Sequence, residues 1–116
     1  MNWKKTAIEL VPESKRSFEE EDSYSATLFI IEYLLDEFRD RVRKRDNDYL
    51  DSVLEFVDAL MDSGDDLLWN AAYVSFYERF LSGLDKESSK FAFKRVKSKT
   101  IENHWYLSGV KEHNSW

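Results

Sequence analysis

A chain of 116 residues is long enough for one domain, and its 42 % apolar residues, with 16 % aromatic residues among them, can fill one core. Three glycines, one proline and no cysteine exclude a turn-rich β sandwich, disulfides, thiolate metal sites and cysteine nucleophiles. The net charge of -6 makes nucleic acid a poor partner.

The composition also bears on the compartment. The absence of cysteine fits a reducing cytosol. The N-terminal residues before Pro12 lack the long apolar core of a signal peptide, and no apolar run approaches the roughly 20 residues that span a membrane. We therefore expect a cytoplasmic protein without a membrane partner.

The first part of the chain predicts one short helix followed by a linker. Residues 3–11 form the helix, which Pro12 ends because the residue before a proline is driven out of helical conformation. Ser17 to Glu20 has the spacing of a capping box, but the acidic residues that follow it predict a turn or a solvated linker.

A long helix is predicted over about 23–45. Its core stripe follows steps of three and four residues through Leu28, Ile31, Leu35, Phe38 and Val42, and Ile30, Tyr33 and Leu34 widen it in the first half. Basic residues crowd its last turns, where cations suit the negative end of the helix dipole: Arg39, Arg41, Arg43, Lys44 and Arg45. A phosphate or partner site is the alternative interpretation of this cluster.

The middle of the chain predicts a helical hairpin. Asp46 to Asp48 is a break and a cap for a helix over about 48–62, and Gly64 ends that helix. Asp65 or Asp66 then caps a central helix over 66–81. This helix has no proline or glycine and is apolar nearly all round, so we expect the other helices to cover nearly all of it.

The last helical region is predicted over about 86–108, capped by Asp85 and broken near Ser98 to Thr100. Residues 109–116 look like a frayed tail, although Trp116 can dock on the core. Together these elements predict an all-α single domain over 1–116, with four to five helices around the central one.

No motif points to catalysis or to a cofactor. His104 and His113 have no neighbours in a catalytic or zinc-binding pattern, and the chain has no glycine-rich phosphate loop and no nucleophile elbow. Glu78, an acid inside the most apolar helix, is expected at a rim or in an ion pair, and Asn70 as an internal hydrogen-bonding group. The sequence therefore predicts no enzyme, no metal and no cofactor.

Carboxylates recur on one face of the second long helix, at Asp48, Asp51, Glu55, Asp58 and Asp62. No lysine or arginine lies between Asp46 and Arg79, and residues 46–85 carry a net charge of -9. Like charges at these spacings destabilise a helix by a few tenths of a kcal/mol per pair, roughly. The row is therefore a solvated face, an internal partner for a basic element, or a docking site for a basic molecule.

A basic row on the last helix could be the internal partner. Its lysines recur at steps of four, four and three residues: Lys86, Lys90, Lys94 and Lys97. The two rows could lie side by side, and the sequence leaves this pairing open beside the other two interpretations.

Several short segments resemble a family of small, all-helical bacterial proteins of unknown function. They are Val11-Pro12-Glu13, Ser23-Tyr24-Ser25, Phe56 to Met61, Ser63 to Ala72 and Ser75 to Glu78. Some members of that family look like immunity proteins of polymorphic or contact-dependent toxin systems. The likeness covers about residues 3–82, and it implies a binder that neutralises a cognate toxin, without supplying site residues.

The acidic row and this resemblance lead to one functional expectation. We expect an immunity-type protein that binds a toxin domain with a basic surface, such as a nuclease, through the five carboxylates of the row. The alternative is a non-enzymatic structural or adaptor protein that forms homodimers through exposed aromatic surface.

Overall fold

In the computed structural model, which describes residues 2–116, every regular element is a helix. Eight helices follow one another in this part of the chain: α1 (Trp3–Leu10), α2 (Lys15–Glu20), α3 (Ala26–Phe29, Ile30–Leu34 and Leu35–Arg43), α4 (Asn47–Met61), α5 (Asp66–Asn70 and Ala71–Tyr77), α6 (Lys86–Lys94), α7 (Ser98–Asn103) and α8 (Trp105–Asn114). The predicted all-α class is confirmed, with eight helices where the sequence predicts four to five. Met1, part of the predicted domain 1–116, lies outside the described residues.

The segment after Pro12 is helical, so the predicted linker is wrong. A short 3-10 turn at Pro12–Ser14 leads directly into α2. The Phe18 ring on α2 lies 5.7 Å from the Trp3 ring and 4.9 Å from the Tyr24 ring, both in edge-to-face contact. This aromatic side chain holds a mostly charged segment against the core, because it buries a large area. The Ser17 hydroxyl also forms a hydrogen bond of 2.7 Å with the Tyr33 hydroxyl.

A widened turn divides α3 and changes which of its residues are buried. Ile30–Leu34 is π-helical, and the amide of Leu35 donates to the carbonyl of Ile30, five residues back. The extra residue rotates the first half of the helix by about 100° relative to the second half. The predicted core residues Leu28 and Ile31 are therefore exposed, whereas their neighbours Phe29 and Ile30 are buried.

Side-chain caps fix the α4–α5 hairpin as predicted. The carboxylate of Asp46 accepts from the amide of Tyr49 at the start of α4, and the carboxylate of Asp65 accepts from the amides of Leu67 and Leu68. Gly64 has a φ of +82°, a left-handed conformation that residues with a side chain rarely adopt. It lies where the chain reverses between the two helices.

Helix α5 packs against both α3 and α4, so it is the central helix. It ends at Tyr77 instead of Leu81, because the turns of 71–77 widen to π geometry and the amide of Glu78 donates to the carbonyl of Tyr73. The expected full cover is absent, since Leu67 is 78 % exposed and Val74 is 42 % exposed.

The C-terminal residues differ from the frayed tail that the sequence predicts. Helix α8 continues to Asn114, and the Trp116 ring lies 5.7 Å from the Phe93 ring of α6. Within residues 2–116, no helix is both long and apolar enough to cross a membrane.

The basic cluster at the end of α3 also binds backbone. The guanidinium groups of Arg39 and Arg43 donate to the carbonyls of Arg79 and Gly83, at 2.7 Å and 3.3 Å. These hydrogen bonds tie the end of α3 to the turns after α5, which gives two of the arginines a structural role.

Candidate functional site

The predicted acidic row on α4 divides into three different environments. Asp51 forms a two-armed ion pair with Arg95, which follows α6: Nη2 lies 2.7 Å from Oδ2, and Nε lies 2.8 Å from Oδ1. Internal pairing therefore exists, but through Arg95. Within residues 2–116, no ion pair joins the row to Lys86, Lys90, Lys94 or Lys97.

Asp58 turns toward the interior. The buried Tyr77 hydroxyl donates to Asp58 Oδ1 at 2.6 Å, and Thr100 Oγ1 lies 3.4 Å from Oδ2, the limit of a hydrogen bond. Burial raises the pKa of the Asp58 carboxyl, while the Tyr77 hydroxyl, the Lys97 charge and Thr100 lower it, with burial the larger effect. Asp58 is thus a half-buried carboxylate with one strong donor.

Three carboxylates of the row remain exposed, and we call them the acidic ridge: Asp48, Glu55 and Asp62. None of them forms an ion pair with any residue of the described chain. Glu55 borders a groove of about 570 Å³ toward α1 on one side and a smaller groove of about 240 Å³ toward Arg95 and Lys97 on the other. Glu55, the middle member of the ridge, therefore stands between two depressions.

A cleft of about 320 Å³ opens at the C-terminal end of α4, and we call it the Asp58 cleft. It is lined by Asp58, Met61, Asp62, Trp69, Lys97, Lys99, Thr100, Asn103 and His104. Sequence reasoning found the two aspartates but missed the cleft, because apart from Met61 of α4 the other lining residues come from α5 and from the segment around α7. No sequence pattern joins residues that far apart.

Aromatic rings form one wall of the Asp58 cleft. The Trp69 ring stacks on the Tyr73 ring with the centroids 4.9 Å apart and an interplanar angle of 14°. The His104 ring meets the same Tyr73 ring edge-on at 4.7 Å. Burial lowers the pKa of His104 below its ordinary 6.5. The negative charges of Asp58 and Asp62 raise it, but by less. At neutral pH the wall therefore consists of uncharged rings.

The cleft holds polar groups without a catalytic connection between them. Asp58 and His104 both line it, but no hydrogen bond links them in the described chain. Across residues 2–116, no three acidic or histidine side chains are placed to hold a metal ion. Lys97 and Lys99 balance the formal charge of the two aspartates in the lining. The carboxylates themselves can accept hydrogen bonds from a cation, and the Trp69 ring can stack on a planar group.

Asn70 on α5 and Glu78 directly after it are the other two polar residues whose positions the sequence predicts. Asn70 is exposed and is not the internal hydrogen-bonding group that was expected. Glu78 is half-buried, and none of the ion pairs formed within residues 2–116 includes it, which fits a rim position. Its backbone carbonyl accepts from the Tyr106 hydroxyl at 3.2 Å.

Comparison with known proteins places the whole helical unit in one family. Residues 5–113 match the family described as Domain of unknown function (DUF7674). The chain belongs to this family. No curated protein and no solved structure matches it.

The DUF7674 match extends beyond the resemblance seen over residues 3–82, because it includes the basic region from Lys86 onward. The acidic ridge and the Asp58 cleft lie wholly within the matched residues. Both features therefore belong to the DUF7674 domain itself.

Proposed function

We propose that this DUF7674 protein is a non-catalytic binding protein of the immunity type, which occludes a toxin domain with a basic surface, such as a nuclease. The observation that carries the proposal is the acidic ridge: three exposed carboxylates without ion pairs in the described chain, inside a segment of net charge -9. We also propose that the protein is related to immunity proteins, as the sequence resemblance implies.

The division of the row strengthens the case for a binding surface. Two of its five members have structural partners, Asp51 with Arg95 and Asp58 with Tyr77. The other three are spaced seven residues apart along one face of α4 and have no ion pair within the described chain. Their charges are therefore available to a cationic partner.

The grooves and the cleft beside the acidic ridge support a protein partner. Glu55 lies between two grooves, and the Asp58 cleft adjoins Asp62 at the end of the ridge. Interfaces with high affinity bury side chains in such depressions, while charges around them steer the encounter. Charge and shape thus coincide on one side of α4.

We expect the gene immediately upstream to encode a secreted protein with the toxin domain at its C-terminus. The decisive experiment reverses the ridge and measures binding to that domain. The variant Asp48→Lys/Glu55→Lys/Asp62→Lys changes exposed side chains, so its fold should be nearly intact. We expect binding measured by biolayer interferometry to weaken by about 100-fold or more, because reversed charges repel a basic surface. Co-expression with that domain should likewise no longer restore growth.

A matched control separates the ridge from net charge. The variant Glu19→Lys/Glu21→Lys/Asp22→Lys reverses three exposed acids elsewhere and changes the net charge of -6 by the same amount, to 0. It should bind like the unchanged protein. Equal losses in both variants, or no binding by the unchanged protein, would overturn the proposal.

A second candidate function is self-association as a structural or adaptor protein. The observation in its favour is exposed apolar surface, because Leu67 is 78 % exposed and Trp105 is 76 % exposed. This function requires a sedimentation coefficient that rises with protein concentration and falls when both residues become serine. Reversal of the acidic ridge should leave that behaviour unchanged.

A further inference from the structure

The strongest feature beyond the ridge is the Asp58 cleft, which combines carboxylates with an aromatic surface. Its volume of about 320 Å³ lies at the small end of ligand pockets, which span roughly 300–1,000 Å³. This space suits one side chain or a small molecule. The lining groups decide which chemistry fits.

The carboxylates of the cleft have free capacity as acceptors. Asp58 Oδ1 accepts from Tyr77 at 2.6 Å, but Oδ2 has only the 3.4 Å contact with Thr100 among the described residues. Asp62 lies one turn farther along α4, is exposed, and has no ion pair in the described chain. Two carboxylates one helical turn apart attract a cation that donates several hydrogen bonds.

Trp69 adds a planar surface beside these acceptors. Tyr73 covers one part of the indole by stacking, while Trp69 as a whole remains 39 % exposed and lines the cleft. A guanidinium group is planar, stacks on aromatic faces and binds carboxylates through two parallel hydrogen bonds. An ammonium group can use the charge of the cleft but not its flat wall.

Two lysines of the same chain, Lys97 and Lys99, also line the cleft. The charge of Lys97 lowers the pKa of Asp58, so this lysine lies close enough to be felt, yet it forms no ion pair within 4.0 Å in the described chain. Lys97 and Lys99 line the cleft on long, flexible, exposed side chains that can move aside. They are competitors of an incoming cation.

We propose that the Asp58 cleft receives one arginine side chain of the partner protein, with its guanidinium between Asp58, Asp62 and the Trp69 ring. This inference rests on the proposed function and deepens it by naming the residue type that the cleft recognises. Arginine and aromatic side chains in pockets at the centre of an interface commonly carry much of the binding energy.

The test uses the full chain and N-acetyl-L-arginine amide as the probe, followed by two-dimensional NMR of backbone amides and tryptophan indoles. For one side chain, we expect a dissociation constant on the order of millimolar. The indole signal of Trp69, assigned with Trp69→Phe, and the amides of Thr100 and Asn103 should shift. The indole of Trp105, exposed and not among the lining residues, should stay in place.

Variants establish the sign of the charge that binds. Asp62→Asn should weaken binding of the probe by about threefold or more, while Lys97→Ala should strengthen it by about two- to fivefold, since a like charge is removed. Lys90→Ala, a lysine on α6 that does not line the cleft, is the matched control and should leave the affinity unchanged.

Several outcomes would overturn the inference. They are no shift of Trp69 at a saturating probe concentration, equal shifts of all indoles, weaker binding in Lys97→Ala, or the same shifts with sodium acetate in place of the probe. N-acetyl-L-lysine amide should bind more weakly than the arginine probe, and equal affinity would remove the role of the Trp69 ring.

Asp62 belongs to both the acidic ridge and the Asp58 cleft, but the failure of one experiment can be distinguished from the failure of the other. If the probe does not bind but ridge reversal abolishes binding of the upstream domain, the proposed function stands and the arginine site falls. If the probe binds in the cleft but no basic domain binds the protein, the arginine site stands without the immunity function.

Discussion

Asp58 is the one carboxylate of the acidic row that is half-buried, whereas the other four are exposed. The Tyr77 hydroxyl donates to it at 2.6 Å. Burial, reinforced by the Asp58 charge, raises the pKa of Tyr77 well above its usual value of 10, so the phenol stays protonated and remains a donor. The pair links α4 to the central helix beside the cleft. Asp58 is half-buried, and Tyr77 is fully buried.

Asp58 should make folding stability depend on pH. Its pKa is raised above the ordinary 3.8, mainly by burial, so its contribution to stability is fully present below pH 3.8 and is lost as the pH rises through the folded-state pKa. Asp58→Asn removes this loss and keeps an acceptor for Tyr77. The free energy of unfolding of the variant, relative to the unchanged protein, should therefore rise across that window and stay level above it.

Urea denaturation at intervals from pH 3 to pH 7 measures this difference. Asp62→Asn, an exposed acid one turn away, controls for the loss of one carboxyl group. A difference between Asp58→Asn and the unchanged protein that stays constant over the whole range would show that folding does not raise the pKa of Asp58.

The central position of α5 has a measurable consequence for stability. Phe76 is fully buried, and its ring lies 5.2 Å from the Phe38 ring of α3 and 5.5 Å from the Phe80 ring. Phe76→Ala should lower the free energy of unfolding by about 3–5 kcal/mol, since it leaves a cavity where a large aromatic side chain was packed.

A substitution on the exposed side of the same helix provides the control. Val74→Ala should cost less than about 1 kcal/mol, because Val74 is 42 % exposed. Chemical denaturation measures both variants. If Phe76→Ala costs no more than Val74→Ala, α5 is not the element on which the fold depends.

The helices and their caps could be predicted from sequence because they depend on neighbouring residues. Asp46, Asp65 and Asp85 each accept amide hydrogen bonds at the start of a helix, and each was a predicted cap. The widened turns at Ile30–Leu34 and Ala71–Tyr77 could not be predicted, because the stripe analysis assumes 3.6 residues per turn. They pack against each other, so tertiary contacts accompany the change of register.

The candidate site could be predicted only in part, because its residues are far apart along the chain. The acidic row follows one helical face, and its members were therefore visible as a pattern of steps of four and three. Nothing local distinguishes Asp58, which turns toward Tyr77, from Glu55, which stays in solvent. The Asp58 cleft also needs Trp69 and His104, and only the folded chain brings these residues to Asp58.

The molecule as a whole has opposite charges on successive segments. Residues 46–85 carry a net charge of -9 and residues 86–116 a net charge of +4. The fold brings them into contact where Arg95 pairs with Asp51, but the lysines of α6 form no ion pair with the acidic row in the described chain. Most of the negative field around the ridge is thus available to act at a distance on an approaching molecule.

Under the proposed function, salt should act mainly on the rate at which the toxin domain associates with this protein. Long-range attraction between an acidic ridge and a basic surface accelerates association, whereas contacts already formed determine dissociation. Raising the salt concentration from about 50 mM to about 500 mM should therefore slow association by about tenfold or more, because the screening length shrinks. Dissociation should change much less, which stopped-flow fluorescence can resolve.

In the Asp48→Lys/Glu55→Lys/Asp62→Lys variant the salt dependence should be flat or reversed, while the Glu19→Lys/Glu21→Lys/Asp22→Lys control should keep most of it. If salt acts mainly on dissociation, or if both variants lose the salt dependence equally, the ridge does not steer the partner.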